Sequence, residues 1–393
     1  MAKNIYLYYL FTFLRNCAFF AAVLVPFYTE WGKTSLFQAQ LLQSWFVFCV
    51  FALEVPTGAL ADRFGRKSSL FLGALIHAIA AVIYGLVPNL ALFVIGEFFF
   101  AAGIALMSGA DNALIYDLLK ENNKENERKK IFGRAYAFSM LGMLISAPLG
   151  GFIASTFGLN YPMIFTVVPG VAAAITALFI KEAKKETENI EGKNYFQIVR
   201  KGLIYFAQHK KLRLMTFDAI IISSTAYFVI WLYQPVLQKI NLPISSFGLF
   251  HAGLVVAEII IAASFLWLEK FVRSSRHYLL FTAIATSLGF FLVSLNFSLW
   301  TVIFFIILSG GFGLTRFEYM SALMNEHIPS AQRATIISTI SMLRRFVLVF
   351  LNPLVGLLAD RNLPFTFLFL GLLSLFVIIP QYLKSKLNKS KDD

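Results

Sequence analysis

Twelve apolar runs, each long enough to cross a bilayer as a helix, constrain this chain more than any other feature. They fall near 5–30, 36–61, 68–88, 90–117, 132–156, 160–180, 214–237, 246–268, 277–296, 298–324, 334–359 and 363–383. About 20 apolar residues span the hydrocarbon core. Several runs exceed that, which implies tilt or helix continuing past the lipid. Hydrophobic residues make up 58% of the chain and charged residues 14%, against about 25% charged in soluble proteins. An aqueous fold cannot hide that much apolar surface. The expected fold is therefore an all-α membrane protein. Arg15 interrupts the first run and many spans follow, so this run reads as an uncleaved first helix, not a signal peptide.

The charge of +13 is distributed as a topology signal and gives no reason to invoke nucleic acid. With both termini placed in the cytoplasm, twenty-seven Lys and Arg fall in cytoplasmic segments. Only Lys33, Lys239 and Arg361 fall on the other side. This asymmetry sets the orientation by the positive-inside rule and supports an even number of spans in a multi-pass cell-membrane protein. Cys17 and Cys49 both lie inside spans and read as small packing residues.

The longest polar stretch, 182–213, separates a first half (1–181) from a second (214–393). Within it, Phe196, Val199, Leu203 and Phe206 recur at helical spacing between basic residues over Tyr195–Leu214. That pattern fits an amphipathic helix on the inner leaflet, or a solvated linker helix. The halves look duplicated. Asp62-Arg-Phe-Gly-Arg66 matches Glu269-Lys-Phe-Val-Arg273, Ser139-Met-Leu141 matches Ser341-Met-Leu343, and Pro148–Ala154 matches Pro353–Ala359, at offsets of 207, 202 and 205. Duplicated six-helix units are a transporter architecture, with substrate bound near the midplane between the repeats.

Between spans two and three runs Gly58-Ala-Leu-Ala-Asp62-Arg63-Phe-Gly65-Arg66-Lys67. It resembles the signature loop of the major facilitator superfamily, Gly-x-Leu-x-Asp-Arg-x-Gly-Arg-Lys, with a worn second copy at Glu269–Arg273. The resemblance covers the whole chain and implies two pseudo-symmetric six-helix bundles. It also implies that the loop latches the two halves in the outward-open state. In physical terms, Gly58 would admit a close helix neighbour and Asp62 would meet the N-terminal dipole of the next helix. Gly65 would permit the turn, and Arg66 would offer its fork to Asp117 or Glu121. Two family motifs fit less well. Leu92-Phe-Val-Ile-Gly96 is followed by Glu97 where many members carry arginine. The Gly-Pro-x-x-Gly-Gly of drug–proton antiporters appears as Ser146-Ala-Pro148-Leu-Gly150-Gly151, with its proline displaced.

Ionisable groups inside spans are expensive, and are functional candidates by default. The acids Glu54, Glu97, Asp111, Asp218, Glu258 and Glu318 outnumber the bases Arg15, Arg316, Arg344 and Arg345. A buried carboxylate is cheapest neutral, so one or two of the acids are expected to carry protons. Arg15 and Glu54 are expected to come within pairing range. Glu97 and Asp111 share one helical stripe, as do His251 and Glu258. Arg316 and Glu318 point to different faces. The arginines are candidate contacts for an anionic substrate. Trp45, Tyr136, Tyr227, Trp231 and Tyr233 are candidate cavity linings.

Neither a phosphate-binding Gly-rich loop nor a nucleophile elbow occurs, and nothing suggests a cofactor or metal site. The expectation is a monomeric secondary carrier of a small molecule, proton-coupled and working by alternating access. The leading reading is export of an amphipathic drug or metabolite. Import of a small nutrient or metal chelate is the alternative. A polytopic membrane enzyme and a transporter-like receptor are remote rivals.

Overall fold

The computed structural model describes residues 1–182, 204–326, 328 and 333–377. Among them, eleven helices or near-continuous helical runs are long and apolar enough to cross a membrane, and the shorter apolar helix Leu363–Leu375 makes a twelfth. Spans one to six are Ala2–Trp31, Leu36–Phe64, Arg66–Leu86, Leu90–Glu121, Glu125–Phe157 and Tyr161–Phe179. Spans seven to twelve are Lys210–Lys239, Ile244–Ala263, Ser275–Leu295, Leu299–Glu326, Arg333–Arg361 and Leu363–Leu375. The end of the expected twelfth span, and most of the expected amphipathic helix Tyr195–Leu214, lie outside the described residues. Of the latter, 204–208 are helical, and span seven begins after His209.

Side chains in the loops start several of these helices. Ser35 accepts the Gln38 N–H while the Gln38 side chain accepts the Ser35 N–H, and Ser298 and Thr301 repeat this capping box. Asn89, Ser274 and Asn362 cap spans four, nine and twelve. Each satisfies helix N–H groups that have no partner in their own helix.

The chain forms two compact units, Met1–Glu191 with Pro243–Ala252, and Gly192–Leu242 with Gly253–Asp393. In the first unit, Phe11, Leu70, Leu114, Ile115, Ala173, Ala174 and Ala177 form the core. Spans three and four touch backbone to backbone where two glycines face each other. A Cβ on Gly73 would lie 2.8 Å from the Gly103 carbonyl oxygen, and the reverse distance is also 2.8 Å. Lipid tails supply no hydrophobic drive for helix association, so small residues and interhelical hydrogen bonds carry it. Ser69 donates to Leu106 O and Thr57 to Ala105 O. The second unit is built around Leu212, Ala219, Met320, Met324, Ile336 and Ile340. There Ser287 donates to Gly371 O and Ser309 to Thr286 O.

Five spans are not the uniform helices that hydropathy suggests, span six among them with a break at Thr166. Span one changes from α-helix at Ala2–Arg15 to a 3-10 turn at Phe19–Val23 and a π segment at Phe27–Trp31. Span four breaks at Ser108 and Gly109, whose φ is +78°, between Leu90–Met107 and Ala110–Glu121. Span seven breaks at Phe228, and span ten carries a π segment at Ile306–Phe312. Hydropathy registers apolar length, and none of these interruptions lowers it.

Candidate functional site

Two ion pairs, one part-buried and one fully buried, organise the intramembrane charges. In the first unit Arg15 Nη1 lies 2.9 Å from Asp111 Oδ2, which corrects the expected pairing of Arg15 with Glu54. The reason is the break at Gly109. It ends the shared stripe of Glu97 and Asp111 and lets Asp111, in the first turn of the new helix, meet Arg15 at the last turn of its own. In the second unit Arg316 is wholly buried and fully used. Its Nε and Nη2 grip both Asp218 carboxylate oxygens at 2.6–2.9 Å, and its Nη1 donates to Leu279 O at 2.6 Å and to the Thr282 hydroxyl. Arg316 thus has no donor left for a substrate, contrary to its candidacy as a substrate contact.

The pairs are equivalent under the internal repeat. Asp111 and Arg316 are 205 residues apart, and Arg15 and Asp218 are 203 apart. Each unit therefore joins its first span to its fourth by one ion pair, with the charges exchanged between units. Glu54 and Glu258 stand 204 apart in the same way. Pro148 and Pro353 each lie twenty residues past the start of a long helix, Arg128–Phe157 and Arg333–Arg361.

Glu97 is held differently. It is 4% exposed. It accepts hydrogen bonds from Gln43 Nε2 at 2.7 Å and from the Tyr28 hydroxyl at 3.0 Å, and Tyr84 Oη lies 3.1 Å from that of Tyr28. Phe27, Trp31 and Phe93 close around this group. Phe27 and Trp31 stack at 4.9 Å, as do Phe93 and Tyr84 at 5.0 Å. No cation is among these partners. Glu258 is half-buried in mid-helix with no hydrogen-bond or ion-pair partner among the described residues, and Glu318 is exposed. His251 is buried, Trp231 is only 2% exposed, and Tyr136 is exposed. Trp231 is therefore a packed core side chain.

Arg344 Nε is buried without a hydrogen-bond partner among the described residues, and its guanidinium lies 4.8 Å from the centre of the Phe317 ring. Arg345 is half-buried and engaged by neighbours. Sequence reasoning overlooked two other groups. His77 Nδ1, beside a small cavity that Arg15 and Thr166 also border, has no partner among the described residues, and neither do the amide atoms of the fully buried Asn352. Hydropathy treats both as isolated polar residues in apolar runs. Their burial depends on helix rotation.

The loop between spans two and three is an assembled site. Arg66 pairs through its guanidinium with Asp117, and Glu121 stays exposed. The carboxylate at the N-terminus of span three comes from Glu182, whose Oε1 accepts the Arg66 N–H at 2.7 Å. Asp62, also expected there, is exposed at the end of span two. Gly65 has φ +97°, and a Cβ there would stand 2.7 Å from the Glu182 carboxylate. Gly58 behaves otherwise than expected: a Cβ there would meet nothing within 4 Å. In the second copy, Arg273 takes the left-handed conformation at φ +71° and Ser274 caps the next helix. The glycine and capping carboxylate of the first copy are thus replaced. Glu182 is in reach because span six ends beside this turn, a proximity that a residue 116 positions away does not announce.

Comparison with known proteins agrees with this architecture. The model of the Major Facilitator Superfamily matches residues 7–350. Multidrug resistance protein 2 of Bacillus subtilis is 33% identical over 134 residues, 34% of this chain and 32% of that protein. Multidrug resistance protein MdtG of Dickeya zeae is 32% identical over 193 residues, covering 46% and 45%. The L-fucose-proton symporter of Escherichia coli is 27% identical over 131 residues, covering 33% and 29%. The matched segments span less than half the length of each of these relatives. Among solved structures, a mutant of the nucleoside transporter NupG superposes with TM-score 0.83 at 10% identity, over 96% of this chain and 98% of that one. The D-xylose-proton symporter does so with TM-score 0.73 at 14% identity, covering 95% and 96%. At such identities the likeness is one of fold. With its twelve-span pattern, its duplicated halves and a family match over most of its length, this chain belongs to the Major Facilitator Superfamily of membrane transporters.

Proposed function

We propose that the protein is a proton-coupled secondary carrier that exports amphipathic small molecules by alternating access, with both termini in the cytoplasm. The observation that carries the coupling is the pairing pattern. Asp111 and Asp218 are neutralised by arginine, whereas Glu97 is buried among neutral donors and Glu258 has no partner among the described residues. A carboxylate in a membrane interior without a counter-cation is stable as the acid and can return to the anion when water or a cation reaches it. Glu97 and Glu258 are accordingly the proton carriers of this reading. Asp111 and Asp218 hold helices together.

Export is favoured by two multidrug resistance relatives and by the high aromatic content, 16%. The displaced Pro148 and Glu97 in place of the usual arginine separate this chain from the better-known antiporters. Import remains the second reading, favoured by the likeness to the L-fucose-proton symporter. The Arg66–Asp117–Glu182 cluster is the conformational latch.

Proteoliposomes with a trapped pH dye and an imposed gradient test this. A panel of amphipathic aromatic solutes should include compounds whose movement drives protons the opposite way. Glu97→Gln should abolish gradient-driven flux while leaving solute exchange at equilibrium. Flux indifferent to the gradient in the wild type refutes the coupling, and co-directional movement of proton and solute selects the import reading.

A further inference from the structure

The second unit carries three intramembrane arginines, and they are not equally available. Arg316 spends every donor on Asp218, Leu279 and Thr282, and Arg345 is engaged by neighbours. Arg344 differs. Its Nε is buried and unpartnered among the described residues, while the face of its guanidinium rests on the Phe317 ring at 4.8 Å. Tyr227 and Glu318 lie within electrostatic reach, but no carboxylate of the described residues forms an ion pair with it. A guanidinium has five donors in a planar fork, and leaving such a donor buried and unmatched is costly. The stacked ring holds the plane of the fork without using any of its donors.

We propose that Arg344 is the anion-binding residue of the transported substrate, a small amphipathic compound bearing a carboxylate, phosphate or similar oxyanion beside an aromatic or other apolar body. The guanidinium edge supplies two parallel N–H donors to two oxyanion oxygens. The Phe317 ring fixes the orientation of that edge and adds an apolar surface for the rest of the solute. This inference rests on the carrier reading and narrows its substrate class. It is separate from the identity of the proton carrier.

The test is saturable binding to the purified full chain in detergent without any gradient. The probes are 1-naphthoate and phenyl phosphate, against the neutral 1-naphthamide and the cationic 1-naphthylmethylammonium. Each is followed by displacement of radiolabelled probe in equilibrium dialysis. The wild type should bind at least one anion at least tenfold more tightly than either counterpart. Arg344→Ala and Arg344→Gln should each lose at least tenfold in affinity. Arg344→Lys should lose less, because it keeps the charge without the fork. Arg361→Ala, at the exposed end of the same helix, should bind as the wild type does. Circular dichroism and gel filtration check that the Arg344 variants fold, and Arg344→Lys keeps the test informative if the alanine variant does not.

No anion preference in the wild type overturns the proposal, and so does undiminished binding by Arg344→Gln. Restoration of binding to Arg344→Ala by adding Glu318→Gln also overturns it, because Arg344 then serves only to balance Glu318. Proton coupling is read by gradient-driven flux in Glu97→Gln, so either result can fail while the other stands.

Discussion

Replacing Asp218 with asparagine should damage the protein more than removing its whole ion pair. Arg316 is 0% and Asp218 6% exposed at the side chain, so Asp218→Asn leaves a buried guanidinium with no counter-charge. Breaking such a pair from one side costs about 3–5 kcal/mol. For a unit of this size each kcal/mol moves the melting temperature by about 2–4 °C, which predicts a fall of about 6–20 °C. In Asp218→Asn with Arg316→Met, no charge remains to be stranded. Apolar replacement of a buried pair is often neutral or stabilising. What remains lost is the donation to Leu279 O and Thr282, on the order of 1 kcal/mol for each net hydrogen bond. The double variant should therefore melt well above Asp218→Asn alone. The assay is the fraction of protein remaining monodisperse on gel filtration after stepped heating in one detergent. An Asp218→Asn variant within about 2 °C of the wild type, a difference no larger than ~1 kcal/mol, would refute the reasoning. So would a double variant as damaged as the sum of the singles.

Other expectations follow from the same geometry. Asp111→Asn should be milder, about 1–3 kcal/mol, because Arg15 keeps 28% side-chain exposure and water can solvate what is stranded; the same heating assay ranks the two variants. Gly65→Ala forces a Cβ into a left-handed backbone conformation and against the Glu182 carboxylate, a strain of about 1–3 kcal/mol. Transport should fall severalfold while equilibrium binding of solute is kept, as measured by flux and dialysis side by side. Glu182→Gln removes charge from the N-terminus of span three at a cost of about 0.3–1 kcal/mol, so its effect on flux should be smaller than that of Gly65→Ala. Gly73→Val should abolish expression of folded protein, since its side chain would enter the Gly103 carbonyl; monodisperse yield is the readout.

The number of spans was legible because apolar length is additive along the chain and needs no knowledge of packing. At Gly58–Lys67 the turn at Gly65 and the guanidinium fork of Arg66 were legible because both are local requirements, whereas the close neighbour expected at Gly58 is absent. The position of span four's end narrowed the partner of Arg66 to Asp117 or Glu121, and the structure selects Asp117. Glu182 was not legible: its role depends on where span six ends relative to span three, and no hydrophobic pattern records that. Pairings inside the membrane were misjudged for a related reason. Treating span four as one straight helix put Glu97 and Asp111 on one stripe, whereas the turn at Gly109 separates them into a polar cluster and an ion pair.

One sequence signal nevertheless held the correct pairings. The motif copies repeat at offsets of 202–207. Applied to charged residues instead of motifs, the same offset maps Arg15 onto Asp218 and Asp111 onto Arg316. A residue pair that exchanges its charges between two copies of one unit has a simple physical explanation. Attraction between a cation and an anion is unchanged when they swap places, so the contact can persist through the swap while either single replacement is penalised by a stranded charge. The four residues form two locks, one in each unit, and neither lock needs a substrate to explain it. Glu54 and Glu258, also one offset apart, bear the same sign at both positions and so cannot be explained as an exchanged pair. With both locks accounted for, Arg344 is an intramembrane arginine whose Nε has no hydrogen-bond partner among the described residues, and Glu97 and Glu258 are acids with no ion-pair base among them. That division is what makes coupling and substrate contact separable by mutation. An exchange such as Asp218→Arg with Arg316→Asp should recover much of the stability lost in either single variant without creating proton coupling or anion binding. Recovery absent from the exchanged protein, with both singles destabilised, would show that Leu279 and Thr282 demand the guanidinium at position 316 itself.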